Sequence, residues 1–275
     1  MTDEPNPDLA RLLTEIGEAG ARICDIEASE GAAGNISVCL RRPVQVDDLF
    51  PLAEPFPLPQ PVPELGGATI VVSGSGRRLR ELRDDPTAGV GCVVLDASGT
   101  TASLRTSASR HFARVTSEFN SHLAVHADQV TLTGTRFHAV VHAQPMRLTY
   151  LSHLPAYQDT AELNRRLLRW QPELIVQLPE GIGHLPFEVP GSVALMAASV
   201  KALREHRIVV WAKHGVLARS DQSVKNAADR VEYAETAAKY EYLDLAAGGH
   251  GEGLSTDEIL SVCAAFDVHQ ILFAR

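Results

Sequence analysis

Strand signals in this chain follow one another through short turns instead of alternating strictly with helices, and that order constrains the fold more than any other feature. β-branched and apolar residues fill 68–73, closed by Gly74-Ser75-Gly76. Residues 91–95 form a second run, turned by Asp96-Ala97-Ser98-Gly99 into a third at 101–105. Further strands are expected at 35–40, 137–145, 174–178 and 207–212. Helical periodicity is expected at 8–28, 117–128 and from Pro190-Gly191 to about 206. It returns in a long alanine-rich stretch capped by Asp221 and running to about 246. Ser255 and Glu258 form a capping box for a last helix that ends near Phe266. The mixture predicts an α/β fold with a mostly antiparallel central sheet and helices on its faces.

Six prolines within 51–63 forbid a helix or a central strand there. The helix before this stretch is too short to fold alone, so 51–63 is expected to be an extended surface insertion within one domain spanning 1–275. A net charge of −9 argues against a broad nucleic-acid surface. No apolar run approaches the roughly 20 residues that span a bilayer, and the first residues lack the apolar core of a secretory signal. Cys24, Cys39, Cys92 and Cys263 are far apart and are expected as buried thiols in a reducing cytoplasm.

The strand 137–145 carries the first chemical clue. Side chains alternate faces, so His138, His142 and Gln144 share one. Two imidazoles and an amide on one strand face suggest a metal ion, with His142 as anchor. His214 follows an apolar strand and precedes Gly215, which suits either a second ligand or a hydrogen-bonded core histidine. Thr116 and Ser117 precede a helix, where free N–H groups favour an anion. Glu118 then either offsets the helix dipole or serves as a base beside a metal. Gly74-Ser75-Gly76 suits phosphate or a plain turn, and Asn35 is placed to donate to an oxyanion. His111, His122, His126 and His250 are expected as solvated or helix-surface histidines, with packing the favoured role for His122. Trp170 and Trp211 are expected as core or subunit-contact aromatics.

Taken in order, Gly34-Asn35-Ile36-Ser37, Val72-Ser73-Gly74-Ser75-Gly76, Thr116-Ser117-Glu118, Val141-His142, Pro179-Glu180-Gly181-Ile182-Gly183, Val189-Pro190-Gly191 and His214-Gly215-Val216 resemble the class II aldolase/adducin family over about residues 10–270. The resemblance is greatest to the branch that acts on rhamnulose 1-phosphate. It implies a three-layer α/β/α unit around a mainly antiparallel sheet, assembled as a homotetramer with sites between subunits. It also implies reversible retro-aldol cleavage of a ketose 1-phosphate to dihydroxyacetone phosphate and an aldehyde. His142 and His214 would bind a divalent metal, normally Zn2+. Asn35, Ser75, Gly76, Thr116 and Ser117 would line the phosphate pocket. Glu118 would be the catalytic carboxylate, with Glu173 a second acid reaching a neighbouring subunit. An epimerase or decarboxylase of the same family, or a non-catalytic adducin-like interaction module, are the other functions that the resemblance allows.

This chain departs from the family's His-x-His pair by placing Gln144 after His142. A carboxamide is a weaker ligand than imidazole and rare on zinc. Gln144 itself, His138 or His153 are the candidates to complete the metal site. Gly31-Ala32-Ala33 also lacks polar groups used near the phosphate, which leaves the exact substrate open.

Overall fold

The computed structural model describes residues 8–273; the N-terminal seven residues, and with them the expectation about a signal, lie outside them. Apolar spacing buries one face of α1 (Leu9–Asp25), whose N-terminus is capped by Asp8. The chain continues through β1 (Asn35–Leu40), β2 (Leu52–Phe56), β3 (Thr69–Ser73), the single turn α2 (Pro86–Gly89), β4 (Val90–Leu95) and β5 (Ala102–Thr106). Then follow α3 (Phe119–Thr133), β6 (Phe137–Ala143), α4 (Met146–Leu151), α5 (Thr160–Leu167) and α6 (Pro172–Gln177). The last elements are β7 (Gly183–Leu185), α7 (Val193–Ala202), β8 (Ile208–Trp211), β9 (Gly215–Ser220), α8 (Val224–Ala246) and α9 (Thr256–Ala265).

The strands form one sheet in the order β2-β5-β4-β3-β1-β6-β9-β8-β7. Every pairing is antiparallel except β7 with β8. The sheet is therefore mixed but mostly antiparallel, as the order of strand signals implied. The proline-rich stretch supplies β2 at the sheet's edge, where Pro55 costs no ladder bond that a central strand would need.

Alternation along the strands feeds two sides of the sheet. Ile36, Val38, Leu40, Val71, Val141 and Ala218 join one core with residues of α1 and α8. On the opposite side Cys39, Ile70 and Val72 pack with Phe119 and Leu123 of α3, and Val140, Val209 and Leu217 pack with Leu195 of α7. Residues paired across antiparallel strands share a face, so Asn35 opposite His142 and Cys39 opposite His138 lie on the side covered by α3.

Several expectations change. Residues 174–178 are not a strand: Pro172 stands at the first position of α6, where its fixed φ and missing N–H suit a helix start. The helices α4 and α5 and the strands β7 and β9 were not foreseen. The helix expected over 117–128 runs from Phe119 to Thr133, and that expected from Pro190 begins at Val193 behind Ser192. The cap of α8 is Ser223, whose hydroxyl accepts from Asn226 N–H at 3.0 Å, rather than Asp221. The capping box of Ser255 and Glu258 is present. Cys39, Cys92 and Cys263 are buried, Cys24 is half-buried, and all four are free.

Candidate active site

The start of β1, the end of β3, the end of β6 and the start of β9 meet at one end of the sheet. Asn35 sits directly opposite His142, and the loop after β3 is tied to the chain before α3 by a bridge between Gly74 and Val115. Thr116 N–H donates to the Ser73 carbonyl at 3.1 Å, and Ser75 N–H to the Arg114 carbonyl at 2.8 Å. These ladders bring Asn35, Ser75, Gly76, Thr116, Ser117, Glu118, His142, Gln144 and His214 to one cleft. Its volume of about 190 Å³ is below the roughly 300–1,000 Å³ of pockets for drug-sized ligands, which suits a small metabolite.

Three of these side chains converge. His142 Nε2 lies 3.5 Å from Glu118 Oε2, and His214 Nε2 lies 3.6 Å from Glu118 Oε1. One ligand atom from each of Glu118, His142 and His214 lies within 4.8 Å of the other two. His142 Nδ1 is 2.9 Å from the Val216 carbonyl. A carbonyl only accepts, so Nδ1 carries a proton and Nε2 is the nitrogen that faces the cluster. Burial and the neighbouring His142 push the His214 imidazole down to about 4, against the pull of Glu118. Burial pushes the Glu118 carboxyl up, but His142, the Asn35 hydrogen bond, His214 and His122 together hold it below its ordinary range. Glu118 Oε2 accepts from Asn35 Nδ2 at 2.8 Å, while Oε1 is buried with no hydrogen-bond partner. Two imidazole nitrogens and an unsatisfied carboxylate oxygen are a donor set that fits a divalent ion.

The local chain holds this arrangement. Lys213 turns β8 into β9 with φ of 63°, and its N–H donates to Ser152 Oγ. A Cβ on Gly215 would stand 2.3 Å from the Ala143 carbonyl and 3.2 Å from His142 Cε1, so glycine is required for the hairpin to lie against β6. Trp211, expected only as packing or a subunit contact, lies with its ring centre 4.8 Å from that of His142 and 5.3 Å from that of His214. Its indole N–H is anchored on Ser199 Oγ at 2.9 Å. Glu118 stands at the N-cap of α3, one position before the first turn, and its N–H reaches Thr116 Oγ1 at 3.3 Å.

Some expected residues fall elsewhere. Glu173 is exposed in the first turn of α6 and does not line its own chain's cleft. Gln144 lies one residue beyond β6 and lines the cleft, and Glu118 brings a carboxylate to the two imidazoles. His153 is exposed and His138 is buried against His126, and neither lines the cleft. His111 and His250 are exposed; His122 is fully buried, in line with the packing role favoured for it, and His126 is fully buried contrary to expectation. The signal that could have placed His126 was the four-residue spacing that continues from Glu118 through His122, which puts all three on one face of α3.

The family model for the Class II Aldolase and Adducin N-terminal domain matches residues 14–242. The chain belongs to the class II aldolase and adducin family. Among its relatives, a rhamnulose-1-phosphate aldolase of Escherichia coli O157:H7 (strain EC4115 / EHEC) is 28% identical over 222 residues, 81% of this chain and 80% of its own. A sugar-phosphate aldolase from Thermotoga maritima superposes with a TM-score of 0.73 at 27% identity, covering 89% of this chain and 99% of its own. The L-fuculose-1-phosphate aldolase from Thermus thermophilus shares the fold, with a TM-score of 0.58 at 20% identity, over 89% of this chain and 100% of its own.

Proposed function

We propose that this protein is a metal-dependent lyase that cleaves a ketose 1-phosphate of the rhamnulose 1-phosphate type reversibly to dihydroxyacetone phosphate and an aldehyde. The observation that carries the reading is the convergence of His142 Nε2, His214 Nε2 and Glu118 beside a loop of small residues. A divalent ion, Zn2+ by the family's habit, would be held by His142 and His214 with Gln144 or Glu118 completing the set. It would supply Lewis-acid stabilisation of the negative charge left when the carbon–carbon bond breaks. Ser75, Gly76, Thr116 and Ser117 would hold the phosphate through hydroxyl and backbone N–H groups, which orients the substrate rather than reacting with it. Glu118, kept ionised by its surroundings and oriented by Asn35 Nδ2, would hold and return the proton at the carbon that loses its bond. The exposed Glu173 would act only on a neighbouring subunit's site, which requires an oligomer; a homotetramer is the form we propose.

The chain would work as one domain, with the two helical sides and the sheet forming α/β/α layers and 51–63 as an insertion. We place it in the cytoplasm, acting on a small sugar phosphate; no helix among the described residues is long and apolar enough to cross a membrane. The test is dihydroxyacetone phosphate release from L-rhamnulose 1-phosphate by zinc-loaded protein. Activity that a chelator abolishes and zinc restores is expected. Protein that binds neither zinc, manganese nor cobalt would sink the reading, and activity on a pentulose 5-phosphate alone would move it to an epimerase.

A further inference from the structure

Beneath the cluster runs a chain of buried hydrogen bonds with no assigned role. His122 Nδ1 lies 2.6 Å from Ser37 Oγ, Ser37 Oγ 2.8 Å from His126 Nε2, and His126 Nδ1 2.7 Å from His138 Nδ1. All four side chains are fully buried. Both ends, His122 Nε2 and His138 Nε2, are buried without a hydrogen-bond partner. Burial pushes His122 and His138 down to about 3 and His126 well below its ordinary value, so all three imidazoles are neutral.

A neutral imidazole has one donor and one acceptor, and a hydroxyl has one proton. Three arrangements make all three bonds, but one has Ser37 accept from both His126 and His122 and strands its own O–H in the core, so two remain that use every proton. In the first, His138 Nδ1–H donates to His126, His126 Nε2–H donates to Ser37, and Ser37 O–H donates to His122, leaving Nε2–H at the His122 end. In the second every proton is reversed, and His122 Nε2 is bare. The surrounding charges choose between them. Glu118 lies one helical turn before His122 and acts on it electrostatically, and the Arg219 guanidinium acts on His138. An anion at one end and a cation at the other both favour dipoles whose positive ends point toward Glu118, and a low-polarity interior strengthens that preference.

We propose that His138, His126, Ser37 and His122 form a one-way donor chain that presents an N–H at His122 Nε2 on the Glu118 side, making His122 a positioning residue for that carboxylate. Asn35 of β1 donates to Glu118 directly, and His122 of α3 adds the field of an oriented N–H. The role assigned to Glu118 rests on the aldolase reading; the direction of the chain does not.

The test combines a spectrum and a rate. Two-bond nitrogen–proton correlation spectra of the full-length zinc-loaded protein, labelled with 15N-histidine, distinguish the tautomers. Nε2–H is expected at His122 and His126 and Nδ1–H at His138, and Arg219→Gln is expected to shift His122 toward Nδ1–H from three hydrogen bonds away. The opposite tautomers in the native protein, or an unmoved His122 in Arg219→Gln, would overturn the one-way chain. His122→Leu is expected to slow deuterium exchange into dihydroxyacetone phosphate roughly tenfold or more in kcat, with KM little changed, and His122→Gln, which keeps a donor, to recover part of it. Expected tautomers with kcat within twofold in His122→Leu would overturn the positioning role. Absence of exchange in the native protein would instead overturn the aldolase reading, and the tautomers would still decide the chain. Should His122→Leu fail to fold, the native spectrum and His122→Gln carry the decision.

Discussion

At the scale of single residues, the account turns on what completes the ligand set. Gln144 lines the cleft but offers only a carboxamide, whereas Glu118 already brings an unsatisfied oxygen to both imidazoles. Gln144→His is expected to tighten zinc binding measurably in a calorimetric titration. Unchanged affinity would place the third ligand at Glu118. Glu118→Gln keeps the shape but removes the base, and is expected to lower kcat by about 100-fold or more with a small change in KM, read by steady-state kinetics. Strand-end positions made His142 and His214 candidates, the family resemblance paired them, and the structure brings them together. Trp211 was not, because nothing in a strand's apolar run tells which aromatic faces a neighbour's imidazole. His126 was misread because isolated histidines on a helix are usually wet; the face it shares with Glu118 and His122 turns inward because α3 lies on the sheet.

At the scale of elements, turns and caps decided what could be read. The hairpin from β4 to β5 was legible because Asp96 gathers the N–H groups of Thr100 and Thr101 at 2.9 and 3.0 Å, a turn chemistry that the residue types announce. The capping box of α9 was legible for the same reason. Residues 174–178 were not, since five apolar-rich residues suit a strand or a short buried helix equally, and only Pro172 at the helix start distinguishes them. Asp221 and Ser223 competed for the cap of α8, and the hydroxyl won by reaching Asn226 N–H. Ser223→Ala is therefore expected to cost about 1 kcal/mol in urea unfolding, and Asp221→Ala clearly less. Gly215→Ala drives a methyl into the Ala143 carbonyl, so it should cost roughly 3 kcal/mol or more and weaken zinc binding by displacing His214. Full zinc affinity and stability in that variant would refute the close-approach argument.

At the scale of the whole molecule, the strand order implied an antiparallel sheet, but not its nine-strand extent or the parallel pairing of β7, because short edge strands carry little pattern of their own. The buried imidazoles give the fold a pH dependence. His122, His126, His138 and His214 all bind protons less readily folded than unfolded. The unfolded chain therefore holds more protons below about pH 6.5, and stability falls as the pH drops from there toward the folded-state values, about 3 for His122 and His138 and about 4 for His214. Each fully buried imidazole would contribute on the order of 1–2 kcal/mol of loss by pH 5. Calorimetry of the metal-free protein should show Tm falling between pH 7 and pH 5; a flat Tm over that window would mean that these histidines are not held neutral. The central claim concerns the place where the sheet's ends meet, and an anomalous-scattering map at the zinc edge from zinc-soaked crystals tests it most directly. A single peak about 2.0–2.3 Å from both His142 Nε2 and His214 Nε2 is the expected result. A map with no peak within that cluster, or with zinc bound only elsewhere, would contradict it.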